Sequence, residues 1–163
     1  MIVFGSSGAK NVPEGFDVDR AFGQIAAALK LVNLYAFAAG ICIVIEPLNR
    51  RESNIIRTLK EGKALMDAAD VSSVRLLVDY YHFSMEEESL ETLKELIPWI
   101  RHVHFAVPDG RRFPLEPDKK YGEFFEILKK GGYRERVSIE AYSDKPEEEI
   151  KKALLLKKYF YDL

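Results

Sequence analysis

Five short, mostly apolar runs alternate with longer stretches of helical periodicity, and this alternation limits the fold more than any other feature of the chain. The runs are residues 2–4, 41–48, 74–78, 102–107 and 137–142, and the predicted helices cover 17–39, 54–69, 86–99, 121–130 and 146–161. Strands that are apolar throughout are buried on both faces, which indicates a parallel sheet covered by helices. In the first helix the spacing puts Ala21, Ile25, Ala28, Val32 and Tyr35 on the apolar side, with Gly40 as the stop. Gly131 and Gly132 close the fourth helix, and Pro146 with three glutamates after it favours the start of the last. Two architectures satisfy this pattern, an open doubly wound sheet and a (β/α)₈ barrel, and periodicity does not choose between them.

At 47% hydrophobic and 31% charged the 163 residues are sufficient for a real core. Net charge is −2, and Lys and Arg are interleaved with Asp and Glu, so no basic face offers itself to nucleic acid. Cys42, inside an apolar run, reads as a small core hydrophobe in a reducing compartment. The N-terminus lacks the pattern of a signal peptide, and no apolar run approaches a membrane span. The expectation is a cytoplasmic protein with no membrane and no nucleic-acid partner.

The polar residues carry more information. Four apolar runs end in, or just before, an ionisable residue: Glu46, Asp79, His104 and Glu140. A carboxylate at the end of a buried strand is costly unless positive charge meets it. Four in successive strands suggest convergence at the carboxyl ends, where barrels and open α/β sheets place their ligands. Three carboxylates and one imidazole form a hard, oxygen-rich set that suits Mn²⁺, Mg²⁺ or Co²⁺ better than a structural zinc. The alternative is separate ion pairs with Arg50, Arg101 or Arg111.

The segments Ile45-Glu46-Pro47-Leu48-Asn49-Arg50-Arg51-Glu52 and Asp79-Tyr80-Tyr81-His82-Phe83-Ser84-Met85-Glu86-Glu87, then His102-Val103-His104 and Ser138-Ile139-Glu140, resemble those of the sugar phosphate isomerase/epimerase family. This is the xylose isomerase-like barrel group that includes D-tagatose/D-psicose 3-epimerases and hydroxypyruvate isomerase. The resemblance implies that Glu46, Asp79, His104 and Glu140 ligate a divalent metal. It also implies that Glu46 and Glu140 handle protons on opposite faces of the substrate. Glu52, His82 and Arg111 match groups that contact the substrate. Two departures stand out. After His104 the chain reads Phe105-Ala106-Val107-Pro108, where relatives often carry an acidic residue near Val107, and Arg111 follows His104 by seven residues where the epimerases usually have six.

Other residues read as framework. His102 is expected to pack or to support His104, Glu86, Glu87 and Glu88 to start a helix, and Tyr80-Tyr81 to combine packing with one wall of a pocket. Trp99, Phe124 and Phe125 read as core, and Gly5-Ser6-Ser7-Gly8 as a weak anion cradle.

A full barrel needs about 250 residues, roughly 31 per βα unit, so this chain supplies about five units. By motif these correspond to strands 4 to 8: the chain, 1–163, is expected to form a single incomplete TIM-barrel domain of α/β class, the C-terminal portion. Such an arc exposes strand edges and an apolar face, which implies a homo-oligomer or association with a missing N-terminal part. The implied function is metal-dependent isomerisation or epimerisation of a small sugar or related ketone through an enediolate. The alternative is an inactive metal- or sugar-binding remnant of the barrel.

Overall fold

In the computed structural model, which describes residues 1–161, five strands form one wholly parallel sheet in the order β1-β2-β3-β4-β5. The strands are β1 (Ile2–Phe4), β2 (Ile43–Ile45), β3 (Val74–Asp79), β4 (Ile100–Phe105) and β5 (Val137–Ile139). The helices are α1 (Ser7–Lys10), α2 (Val18–Ala38), α3 (Leu59–Ala69), α4 (Tyr80–Met85), α5 (Leu90–Leu96), α6 (Lys119–Lys130), α7 (Pro146–Ala153) and α8 (Leu156–Tyr161). Sequential strands are neighbours throughout, which is the winding of a barrel and not the reversed order of a doubly wound sheet. The architecture is that of a partial TIM barrel. Asp162 and Leu163, which complete the expected domain, lie outside the described residues.

Local chemistry sets the helix starts. The Asp17 carboxylate accepts from the Arg20 N–H at 2.7 Å, Thr58 Oγ1 from Glu61 at 3.2 Å and Ser89 Oγ from Thr92 at 3.1 Å. The second predicted helix therefore begins at Leu59 and not at 54, because Thr58 is the cap and Ile56 before it has φ 57°. The stretch 86–99 is likewise not one helix. Glu86 ends α4, Glu87 turns with φ 53°, α5 follows, and a short 3₁₀ turn ends at Trp99. The three glutamates bridge two helices: Glu86 pairs with Arg50 at 3.0 Å, and a Glu88 oxygen accepts from the Leu59 N–H at 2.9 Å. The last helix breaks at residues 154–155, so that the Tyr159 hydroxyl can accept from the Asp118 N–H at 3.1 Å.

The largest correction concerns α2. Its buried stripe is Ala21, Ala26, Leu29 and Ala36, whereas Val32 and Tyr35 stand exposed with Leu31, Leu34 and Phe37. A helix apolar nearly all round gives periodicity no single face to select. By length and composition alone α2 could also cross a membrane, contrary to the expectation that no stretch would. Its buried stripe packs beside α3, as a layer helix of a barrel does.

The core lies between sheet and helices. Phe105, Phe124 and Phe125 are fully buried, and Tyr80 stacks on Phe105 with ring centroids 4.6 Å apart. Trp99 is only partly buried, with the Lys63 ammonium 4.4 Å above its ring. Cys42 is half-buried at the foot of β2. Replacing Phe105 with Ala removes the centre of this aromatic group and is expected to lower stability by about 3–5 kcal/mol, read by urea unfolding.

Candidate metal centre

The sheet brings four strand ends to one place. Asp79, the last residue of β3, lies opposite His104 of β4 in the ladder. The Glu46 N–H donates to the Phe4 carbonyl and the Glu140 N–H to the Phe105 carbonyl, both at 3.1 Å, so each glutamate sits one step beyond its strand. Ligand atoms from Glu46, Asp79, His104 and Glu140 all lie within 4.8 Å of one another. Opposite ligands around one small cation, with bonds of about 2.1 Å, stand about 4.2 Å apart, so the set needs little adjustment to hold one ion.

Charge supports the same fit. His104 Nδ1 stands 2.9 Å from Glu46 Oε1 and 3.0 Å from Glu140 Oε2. Arg111 Nη2 donates to Asp79 Oδ2 at 3.1 Å and to Glu140 Oε2 at 2.6 Å. With His104 neutral and Asp79 ionised, as metal ligands must be, three carboxylates and one guanidinium would leave two negative charges, the complement of a divalent cation. Glu46 and Asp79 are nearly inaccessible to water, whereas Glu140 is exposed. Burial raises the Asp79 carboxyl to about 7, against the lowering pull of the Tyr81 N–H and of Arg111. Burial also works against the His104 cation, yet hydrogen bonds to Glu140 and Glu46 outweigh it and hold the imidazole at about 9. The bond to His104 holds Glu140 down at about 2.

The remaining predicted residues surround this group. His82 is buried with Nε2 3.6 Å from Asp79 Oδ2 and no hydrogen-bond partner for that atom. Glu52 Oε2 stands 3.8 Å from Arg111 Nη1, and the guanidinium lies 5.0 Å over the Tyr81 ring. The longer spacing from His104 to Arg111 is absorbed by a turn in which Gly110 (φ 69°) and Arg111 (φ 50°) both take the left-handed conformation. An antiparallel bridge from Val107 to Arg112 closes it, and the arginine points back over the strand ends. Of the three candidate ion-pair arginines only Arg111 meets carboxylates of this group. Arg50 pairs with Glu86, and Arg101 donates to the carbonyls of Pro98 and Ile100. His102 supports from below, with Nε2 2.9 Å from Ser138 Oγ and its ring edge-on to His104.

Residues outside the predicted set also touch this group. Lys10, 5% exposed, donates from Nζ to the Glu46 carbonyl at 3.0 Å, and burial lowers its ammonium to about 8. A lysine in a loop ordinarily reads as solvated, so nothing signalled it. Gly5 passes so close to the Glu46 carboxylate that a Cβ there would overlap Oε2. Its signal was a glycine directly after an apolar strand. It is Gly5, and not the whole Gly5–Gly8 stretch, that approaches the carboxylate; Ser7 and Gly8 open the short α1.

The family described as xylose isomerase-like TIM barrel matches residues 1–159. The chain belongs to this family. It is 28% identical to 3-dehydro-D-guloside 4-epimerase of Escherichia coli over 130 residues, 78% of this chain and 48% of that protein. The crystal structure of E. coli 3-keto-D-glucoside 4-epimerase superposes with a TM-score of 0.85 at 23% identity, covering 96% of this chain and 63% of that one. D-allulose 3-epimerase from Methylomonas sp., solved in complex with D-allulose, gives 0.73 at 26% identity, covering 83% and 47%. The chain therefore spans about half the length of the curated relative it matches.

If these residues take up a cation, protons must leave. Asp79 (about 7) and His104 (about 9) are both loaded below neutrality, and a ligand atom has to be deprotonated to bind. Uptake of Mg²⁺ or Mn²⁺ is expected to release about two protons at pH 6 and about one at pH 8, so that affinity climbs with pH to about 9. Calorimetry in buffers of different ionisation enthalpy measures this. A pH-independent affinity would exclude these ligands.

Proposed function

We propose that this chain is the ligand-bearing part of a metal-dependent isomerase or epimerase of a small sugar or related ketone. Glu46, Asp79, His104 and Glu140 would hold Mn²⁺, Mg²⁺ or Co²⁺, since oxygen-rich sets favour these ions. When bound, the cation supplies Lewis acidity that favours negative charge on a neighbouring carbonyl oxygen. The observation that carries the reading is the pair of carboxylates on one atom. Glu46 and Glu140 approach His104 Nδ1 from the ends of different strands, one buried and the other exposed.

Two carboxylates flanking one small space suit proton transfer at carbon. One glutamate takes the proton from the carbon beside the carbonyl, and the C–H electron pair moves into the carbon–carbon bond of an enediolate. The other returns a proton to the opposite face of that carbon, which gives epimerisation. Return to the neighbouring carbon gives isomerisation. His82 and Glu52 would hold the substrate's oxygens, and Arg111 would offset the charge of the carboxylates while shielding the space beside Tyr81. The sugar epimerases among the relatives support this class of substrate.

The direct test is deuterium exchange from solvent into a panel of ketoses after metal loading. Exchange is expected with the native chain and to fall at least ~100-fold in Glu46→Gln and in Glu140→Gln. Metal uptake without exchange into any ketose would leave a binding remnant and sink the proposal.

We further propose that the chain works in association, with another copy or with the remaining barrel units. The unpaired edge of β1 exposes Ile2 and Val3, and α2 exposes Leu31, Leu34, Tyr35 and Phe37. Sedimentation is expected to show a species larger than 18.7 kDa, and a compact monomer at all concentrations would count against this.

A further inference from the structure

We infer that Asn49 is the positioning residue of this site, fixing His82 as an Nε2–H donor and holding Glu52 beside it. The inference rests on the roles proposed above for His82 and Glu52 as the groups that hold the substrate's oxygens.

The hydrogen bonds fix the atoms. The Asn49 backbone N–H, which can only donate, points at His82 Nδ1 at 3.1 Å. Nδ1 is therefore the unprotonated nitrogen, and the proton of the neutral ring sits on Nε2. The Asn49 side chain is oriented by a similar argument. Its Oδ1 accepts from the Arg51 backbone N–H at 3.0 Å, so the other end is the amide nitrogen. That Nδ2 lies 2.8 Å from His82 Nδ1 and 3.2 Å from Glu52 Oε1, both acceptors. One residue, 1% exposed, thus grips both groups from behind.

The other ring nitrogen is left unpartnered. His82 Nε2 is buried without a hydrogen-bond partner and lies beside Asp79 Oδ2 at 3.6 Å. A buried N–H with no partner is costly, and an oxygen of a bound ligand would satisfy it. With Nδ1 locked from behind, the ring cannot present a lone pair to the ligand. It can only donate, and so selects a carbonyl or hydroxyl oxygen.

The test uses the full chain, labelled with ¹⁵N and loaded with Mg²⁺, in which only three histidines need assignment. Long-range proton–nitrogen spectra are expected to show His82 with Nε2 protonated and Nδ1 bare. Asn49→Asp sets a charged acceptor at the side-chain position, 2.8 Å from Nδ1, against the neutral backbone donor at 3.1 Å; the charge-assisted bond is the stronger, and the proton is expected to move toward Nδ1. Asn49→Ala keeps the backbone donor, so the tautomer stays while Glu52 is released. In Asn49→Ala, which leaves the charge unchanged, Mg²⁺ affinity is expected to stay within about twofold, because Asn49 is no ligand. KM for a ketose that exchanges deuterium should rise about tenfold with a smaller change in kcat, the mark of lost substrate binding.

A native His82 protonated on Nδ1 would overturn the inference even if Asn49→Asp failed to fold. So would an unchanged tautomer in a folded Asn49→Asp protein, or loss of stability in Asn49→Ala with KM unmoved. If no ketose exchanges deuterium with the native chain, the proposed function fails, while the spectra still decide whether Asn49 governs His82.

Discussion

Like charge gathered at the ends of buried strands is the condition to which the rest of this site answers. Glu46 and Asp79 are almost inaccessible to water, and with Glu140 they would repel one another across a few ångströms. His104 and Arg111 are inserted between them, each touching two carboxylates. Arg111 reaches that position only because residues 110 and 111 take the left-handed conformation, which costs energy at an arginine. Asp79 carries a further duty. One oxygen caps α4 through the Tyr81 N–H at 2.9 Å, and the other faces Arg111, so the strand end and the helix start are one structure.

The parallel sheet makes this concentration of charge possible. With every strand running the same way and sequential strands side by side, the carboxyl ends share one rim. The same geometry leaves open flanks. β1 has a free edge, and α2 keeps an exposed apolar face. The site and the exposed flank are thus consequences of a single winding, and the residues of the site are contributed by the part of the barrel that this chain contains.

The strand-end residues were legible because a charged side chain closing an apolar run is an anomaly wherever it occurs. Glu46, Asp79, His104 and Glu140 each show it, and the structure brings them together. Lys10 and Asn49 were not legible as site residues. Lysine and asparagine are ordinary in loops, and their meaning depends on burial that only the tertiary fold supplies. The α2 face was misjudged for the opposite reason. Val32, Leu31 and Leu34 are as apolar as Ala26 and Leu29, so the pattern held more than one face and no means of ranking them. The helix over 86–99 failed at Glu87, whose φ of 53° the sequence does not advertise.

The loop after β2 carries Glu46, Asn49 and Glu52, and its rigidity decides how well those groups are aimed. It is held from several directions. Lys10 donates to the Glu46 carbonyl, and the Asn11 side chain reaches both the Glu52 carbonyl and Ser53. Asn54 exchanges two hydrogen bonds with the Val12 backbone. On the opposite flank Arg50 grips Glu86, and Glu88 meets Leu59 where the loop turns into α3. Ile56 is held at φ 57°, uncommon for a β-branched residue, and is 1% exposed. Such a conformation persists only where the surroundings over-determine it. A loop so constrained behaves as part of the framework, and the groups on it can be aimed as closely as those on the strands themselves.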